Sequence, residues 1–433
     1  MTRKCARSFR LVCPAGQIPL VEDLLRAQGY DFEPEPFSPL CRRLVCEPQP
    51  LGGSLAAYFG YIYIQDRSSM LPPLALSPPE GGAVLDMCAS PGSKTGFLAQ
   101  LVGKTGFVLA NEPSPPRLAT LRANLERMNL LQAATCSYGG TTLPLLPSSW
   151  DAILLDPPCS GWGTAEKHPR VLSLWKGSKV NSLVGLQQLL LRHASELLRP
   201  GGRLVYSTCT TNVDENEDQV RFAEEELGLE RVPLPPFPGF FWQQRPGGEG
   251  TLRVDGERSK SQGFYVALLR KPEMPLCVKP GEEVLQKPVE AHEQTDRDRS
   301  HTRGTPLPLR ALGGAACDPA LLPPGEAFLF GQHVRFVPQR AQGLLPSSFV
   351  WQGALLGGFA GGVLDVAPRL RELLPQHESA VRLVLEDVND ILALLSGQSR
   401  YTELAGRDAG LWWRHLPLGR ITLKKGRAVA GFR

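Results

Sequence analysis

Between residues 83 and about 271 the chain alternates short apolar runs with amphipathic segments, and this alternation points to a parallel sheet covered by helices on both faces. The strand candidates are residues 83–87, 106–111, 133–137, 151–155, 203–207 and 263–269, most of them rich in Val, Ile, Leu, Phe or Tyr. Pro115–Met128 has a helical period, with Leu118, Leu121 and Leu125 on one face and Arg117, Arg122 and Glu126 on the other. A further helix is predicted over residues 183–198, stopped by Arg199-Pro200-Gly201-Gly202.

At 433 residues the chain exceeds what one core usually supports, which suggests two or three domains. Residues 1–80 mix apolar segments with turn signals and read as a small N-terminal domain, with the sheet domain at 81–271. Residues 272–308, which include the polar run Glu290 to Ser300, read as a linker. Residues 309–433 return to apolar segments at 328–336 and 349–356, then a helix at 380–395, and read as a separate C-terminal domain.

Hydrophobic residues at 42% and charged residues at 21% fit a globular chain, and a formal charge of +4 permits a nucleic-acid partner without establishing one. No apolar stretch approaches bilayer length, and residues 9–13 are too short for a signal segment, so a cytoplasmic location with no membrane partner is expected. The ten cysteines are too sparse for a disulfide framework and are expected to be reduced. Cys41 and Cys46 have no second Cys or His pair nearby, so no metal is expected.

The first predicted strand runs into Met87-Cys88-Ala89-Ser90-Pro91-Gly92-Ser93-Lys94-Thr95-Gly96. A small-residue turn at a strand's carboxyl end, followed by a helix N-terminus, is where a nucleotide-like cofactor sits. Ser93 stands where a phosphate-binding P-loop requires glycine, and the dinucleotide glycine pattern is missing too. Glu112 closes the second strand, where a carboxylate can accept both hydroxyls of a ribose.

Downstream, Asp156-Pro157-Pro158-Cys159 ends the fourth strand and Ser207-Thr208-Cys209-Thr210 ends the fifth. If those strands are neighbours, Cys159 and Cys209 meet at one rim facing the cofactor turn. A lone cysteine at a strand end is more often a core residue than a nucleophile, by roughly ten to one. Two at equivalent strand ends beside an acid shift that balance. Carbon 5 of a pyrimidine becomes nucleophilic only after a thiolate adds at carbon 6, so Cys209 suits the attack. Asp156 suits the ring edge, and the second thiol suits removal of the carbon-5 proton.

These motifs resemble the Sun-type RNA cytosine-C5 methyltransferases, and within them the RsmF-like ribosomal RNA enzymes. The resemblance is clearest over residues 51–271 and includes Tyr63-Ile64-Gln65-Asp66-Arg67-Ser68-Ser69-Met70, Pro116-Arg117-Leu118 and the run 212–219 with Glu215, Asn216 and Glu217. It implies a Rossmann-like α/β sheet with S-adenosylmethionine as cofactor, Cys209 as attacking nucleophile and Cys159 as the thiol that assists release. It implies that Cys88, Ala89, Ser90, Pro91, Gly92, Ser93, Lys94, Glu112 and Asp156 contact the cofactor or the space between cofactor and base. The C-terminal segment looks like a β-rich, PUA-like RNA-binding appendage, in which Trp412 and Trp413 either stack on bases or pack in a core. The expected partner is RNA, ribosomal first and transfer RNA as the alternative, engaged by a monomer.

Two departures are visible. Tyr138-Gly139-Gly140 stands where the family carries an Asp that binds the adenine side. Pro157-Pro158 replaces the usual Ala-Pro and is similar to the motif of amino-group methyltransferases, with Cys159 in place of their aromatic ring. An amino-group methyltransferase and a non-catalytic RNA-binding protein therefore stand as the competing readings.

Overall fold

The computed structural model describes residues 7–165, 168–174, 178–273, 304–308, 316–361, 363–377 and 379–432. Strands β1 (Ser8–Leu11), β2 (Asp31–Pro34), β3 (Cys41–Cys46) and β4 (Ile62–Ile64) form an antiparallel sheet in the order β2-β3-β1-β4. Cys41 is buried and Cys46 exposed, as expected for positions an odd number apart on one strand.

The central sheet contains β5 (Ala83–Asp86), β6 (Phe107–Asn111), β7 (Ala133–Cys136), β8 (Trp150–Leu155) and β9 (Leu198–Thr208), parallel in the order β7-β6-β5-β8-β9. The order in which strands are added reverses about β5, which leads to β6 on one side and pairs with β8 on the other. Such a switch point opens a crevice at the strands' carboxyl ends. The strands β10 (Glu230–Val232), β11 (Trp242–Gln243), β12 (Leu252–Val254) and β13 (Phe264–Arg270) complete the β9 edge.

All six predicted strands are present, but the sixth, β13, runs antiparallel to β9. It enters through an antiparallel ribbon with β12 and β11, so no crossover helix turns it parallel. Alternate residues face opposite layers: Val84, Val108, Leu154 and Val205 pack with Phe97 and Leu121 on one side, and Leu85, Leu109, Leu155 and Tyr206 with Leu190 and Leu191 on the other. Pro115–Met128 buries Leu118, Leu121, Leu125 and Met128, each contributing about 1.5–3 kcal/mol. Ser178–Leu197 passes directly into β9, whose first residues include Pro200-Gly201-Gly202.

The C-terminal residues form two five-stranded sheets. The first includes Thr305–Leu307, inside the stretch read as a linker; residues 274–303 of that stretch lie outside the described residues. The predicted helix over 380–395 divides into a strand, Arg382–Leu385, and a helix, Val388–Leu395. Asp387 breaks the run by capping the helix, its side chain accepting from the Asn389 amide. Trp412 and Trp413 are both buried, so core packing accounts for both. A two-residue strand, Trp351–Gln352, pairs with β7 and extends the central sheet.

The first and last sheets share one apolar cluster, in which Phe9, Leu11 and Phe59 pack with Leu411, Trp413 and Phe432. Tyr58 Oη donates to the Phe432 carbonyl at 2.9 Å, and Tyr61 Oη to that of Pro417. Arg371 pins the junction from within: it is buried, its guanidinium lies 4.0 Å from the centre of the Tyr61 ring, and it donates to the carbonyls of Phe59 (2.6 Å), Val12 (3.2 Å), Gly60 (3.3 Å) and Met128 (3.4 Å).

Replacing Arg371 by Met leaves those carbonyls buried without a donor, at about 1–3 kcal/mol for each group left unsatisfied. A net loss of about 3 kcal/mol is expected after partial relaxation. Chemical denaturation checks this, and a midpoint equal to wild type would contradict the assignment.

Candidate active site

In the pairing of β8 with β9, Leu155 lies opposite Tyr206. The chain continues past both strand ends into turns, and Cys159 Sγ and Cys209 Sγ come to 3.4 Å of each other, both partly exposed. Two glycines make room. Gly161 adopts φ +67°, and Gly163 donates its amide to the Cys209 carbonyl at 2.9 Å. A Cβ on Gly163 would overlap the carbonyl oxygens of Gly263 and Cys209.

Lys94 and Asp156 join this rim to the predicted cofactor turn. Lys94 Nζ donates to Asp156 Oδ2 at 2.7 Å, Ser207 Oγ donates to Oδ1 at 2.9 Å, and Lys94 Nζ lies 5.4 Å from the centre of the Phe264 ring. The sequence did not single out Ser207 for this role; its place two residues before Cys209 on the same strand was the available signal.

The turn itself is held by its neighbours. The Ala89 amide donates to the Asn111 carbonyl at 2.9 Å, Arg117 donates to the Ser90 carbonyl at 3.2 Å, and Asn124 donates to the Pro91 carbonyl at 2.8 Å. Gly92 has φ +103°, and an added Cβ would lie 2.9 Å from Leu121 Cδ1, so only glycine lets the turn enter the helix Ser93–Leu101 here. Glu112 is buried at the end of β6, accepting from the Ser114 amide at 2.9 Å and pairing with Arg117 at 3.4 Å.

Asp86 accepts from Thr95 Oγ1 at 2.7 Å, and burial raises its pKa to about 7 against the pull of Thr95 and Lys94. The Cys88 thiol is raised first by burial and then by Asp86, Asp156 and Glu112, so three carboxylates converge on the turn. That set of acceptors fits a ligand bearing positive charge and vicinal hydroxyls. Among the described residues, no group of three or more His, Cys, Asp or Glu is arranged to hold a metal ion.

The thiols titrate in opposite directions. Cys209 is lowered from its ordinary value, first by the hydrogen bond from Cys159, against burial and the charge of Asp156, with Lys94 also lowering it. Cys159 is raised, first by its contact with Cys209 and then by burial. When one proton leaves the pair, these directions leave the remaining one on Cys159 and favour the charge on Cys209, with Lys94 adding to the effect of the thiol contact.

Tyr138, in the position of the expected acid, follows β7. Asn111 binds its backbone twice, amide to Oδ1 and carbonyl to Nδ2, both at 3.0 Å, and also donates to the Met87 carbonyl at 3.2 Å. Its ring stacks on Phe349 with centroids 4.7 Å apart, and its hydroxyl accepts from the Val350 amide at 2.8 Å. Tyr138 thus makes an aromatic contact within the chain, to the C-terminal half.

Strand order, crevice and small-residue turn define the fold as the Rossmann-like sheet of S-adenosylmethionine-dependent methyltransferases. Residues 73–270 match the 16S rRNA methyltransferase RsmB/F family. Ribosomal RNA small subunit methyltransferase F of Erwinia tasmaniensis is 40% identical over 247 residues, 55% of this chain and 51% of that protein. Its counterpart in Shewanella amazonensis is 36% identical over 277 residues, 62% of this chain and 59% of that protein. The solved structure of a methyltransferase homolog from Pyrococcus horikoshii is 32% identical, with a TM-score of 0.53, covering 62% of this chain and 87% of that one. The chain belongs to the RsmB/RsmF methyltransferase family. It spans between half and three fifths of the length of these two ribosomal RNA relatives.

Removing the Cys159 thiol should shift the alkylation of Cys209 by iodoacetamide toward higher pH, because the Cys159→Ala variant loses the hydrogen bond that most favours the thiolate. Lys94→Met should shift it the same way. Rate against pH, followed on the Cys209 peptide by mass spectrometry, checks both; an unmoved profile in Cys159→Ala contradicts the assigned proton position.

Proposed function

We propose that this chain methylates carbon 5 of a cytosine in RNA, ribosomal RNA before transfer RNA, with S-adenosylmethionine as methyl donor. The observation that carries the reading is the 3.4 Å approach of Cys159 to Cys209 beside the Lys94–Asp156 pair. An amino-group methyltransferase has no use for that thiol pair. The turn Cys88 to Lys94, with Glu112 and Asp156, forms the cofactor site. Residues 1–80 and the PUA-like residues 309–433 hold RNA on either side of the catalytic residues 81–271, and the protein works as a cytoplasmic monomer. Among the described residues, no helix is long and apolar enough to cross a membrane.

S-adenosylmethionine, when bound, supplies a methyl group on a positively charged sulfur. The Cys209 thiolate adds to carbon 6, and carbon 5 gains enamine character. Lys94 holds Asp156 at the ring edge, where the carboxylate favours the protonated base as charge builds. Capture of Cys209 by the base also removes the contact that most raises Cys159. Once carbon 5 carries the methyl group, Cys159 gives its own proton to water and as a thiolate takes the carbon-5 proton; the freed electron pair forms the bond between carbons 5 and 6 as Cys209 leaves carbon 6 as a thiolate.

Cys209→Ala is expected to abolish methyl transfer, and full activity in that variant refutes the mechanism. Cys159→Ala is expected to accumulate a covalent protein–RNA adduct through Cys209, seen as a slow-migrating band; a band that appears only with Cys209→Ala reverses the two roles. Bisulfite mapping of RNA from cells with and without the gene distinguishes ribosomal from transfer RNA.

A further inference from the structure

We propose that Glu215 is the positioning residue of the thiol pair, its buried carboxylate holding the Cys159 turn against the Cys209 turn. This rests on the functional reading above for its consequence, though not for its geometry. Glu215 is completely buried. Its Oε2 accepts from the Ser160 amide at 2.8 Å and from Gln187 Nε2 at 3.1 Å. Its Oε1 accepts from Ser160 Oγ at 2.5 Å and from Asn212 Nδ2 at 3.3 Å.

These bonds reach both sides of Cys159. Ser160 follows it, and Gln187, which also donates to the Pro158 carbonyl at 2.9 Å, reaches the residue before it. Ser160 Oγ lies 2.7 Å from Thr210 Oγ1, so the residue after Cys209 joins the same network. The next side chain brackets Cys209: Asn216 Oδ1 accepts from Thr208 Oγ1 at 2.5 Å, and its Nδ2 donates to the Thr210 carbonyl at 3.1 Å. Two consecutive residues therefore fix both thiol-bearing turns. Tyr206 Oη secures them to the sheet by donating to the Glu215 carbonyl at 2.7 Å.

A buried carboxylate met by neutral donors is a costly way to fill space, and an apolar side chain would do so more cheaply. Its geometry is what an apolar residue cannot supply. Four donors from three separate segments converge on two oxygens, and the turn carrying Cys159 is placed to within the tolerance of those bonds. Without them the Gly163 amide still reaches the Cys209 carbonyl, but it lies four residues past Cys159, and the residues on either side of Cys159 lose their hold on the Cys209 turn.

The test is a double-mutant cycle on the full chain. Glu215→Gln keeps the side chain's shape but turns an amide toward donors that need an acceptor. At a pH below the wild-type midpoint, the rate of Cys209 alkylation by iodoacetamide is expected to fall at least threefold in Glu215→Gln. In the Cys159→Ala background the same substitution is expected to change it less than 1.5-fold, because the partner thiol it places is already gone. Ser160→Ala, which leaves the carboxylate in place, is expected to slow alkylation in the same direction by a smaller factor, and it decides the matter if Glu215→Gln does not fold. A fall of equal size in both backgrounds, or no fall in either variant, overturns the proposal. The alkylation needs neither RNA nor cofactor, so it stands apart from the RNA reaction. With RNA, Glu215→Gln should accumulate the same slow-migrating adduct as Cys159→Ala; if wild type methylates no RNA while the cycle holds, the functional reading fails and the positioning role survives.

Discussion

Because Leu155 lies opposite Tyr206, four further residues on one strand and three on the other bring Cys159 and Cys209 to 3.4 Å. Parallel pairing makes this meeting a consequence of backbone register. Both strands must end at the same rim, and that rim is the crevice beside the switch point. A slip of one residue in β8 against β9 would part the sulfurs and turn the apolar side chains of β8 to the wrong layers. The sheet core and the thiol pair are therefore specified by the same ladder, which ties the site's geometry to the interior with the least freedom to shift.

The electrostatics rest on that geometry. Two thiols in contact do not both ionise, and the hydrogen bond between them, followed by burial and neighbouring charge, favours Cys209 as the one that does. Lys94 lowers Cys209. Lys94 also belongs to the turn that follows β5, and its bond to Asp156 links that turn to the rim. A single cation thus joins the turn's position to the electrostatics of Cys209.

What the sequence revealed was whatever has a local period or a short motif. Pro115–Met128 was legible because its leucines recur at helical spacing, and the strand ends because apolar runs stop at Asp156 and Ser207. The direction of β13 was hidden, since an apolar run reads the same whichever way it pairs. The run 380–395 misled because Asp387, which breaks it, looks locally like one more polar residue on a helix. Glu215 and Arg371 were less legible still. The first lay in a run noted only for its family likeness, while its partner Ser160 is 55 residues away; the second binds carbonyls more than 240 residues distant. Long-range polar bonds leave no periodic trace.

The C-terminal half completes the central sheet rather than merely following it. β7 would otherwise be an edge strand with a free row of backbone groups, and Trp351–Gln352 pairs with it through Thr135 and Cys136. The same segment carries Phe349 onto the Tyr138 ring and Val350 onto its hydroxyl. At the opposite face, Trp413 and Phe432 share a core with Phe9 and Phe59. Arg420 is held by Asp365 and Asp408 at 2.7 Å each, while Lys424 and Lys425 remain exposed. The Tyr138 turn is therefore tied to the C-terminal half by one ring contact and one backbone hydrogen bond, so truncating Phe349 would remove the packing that holds the ring at the end of β7.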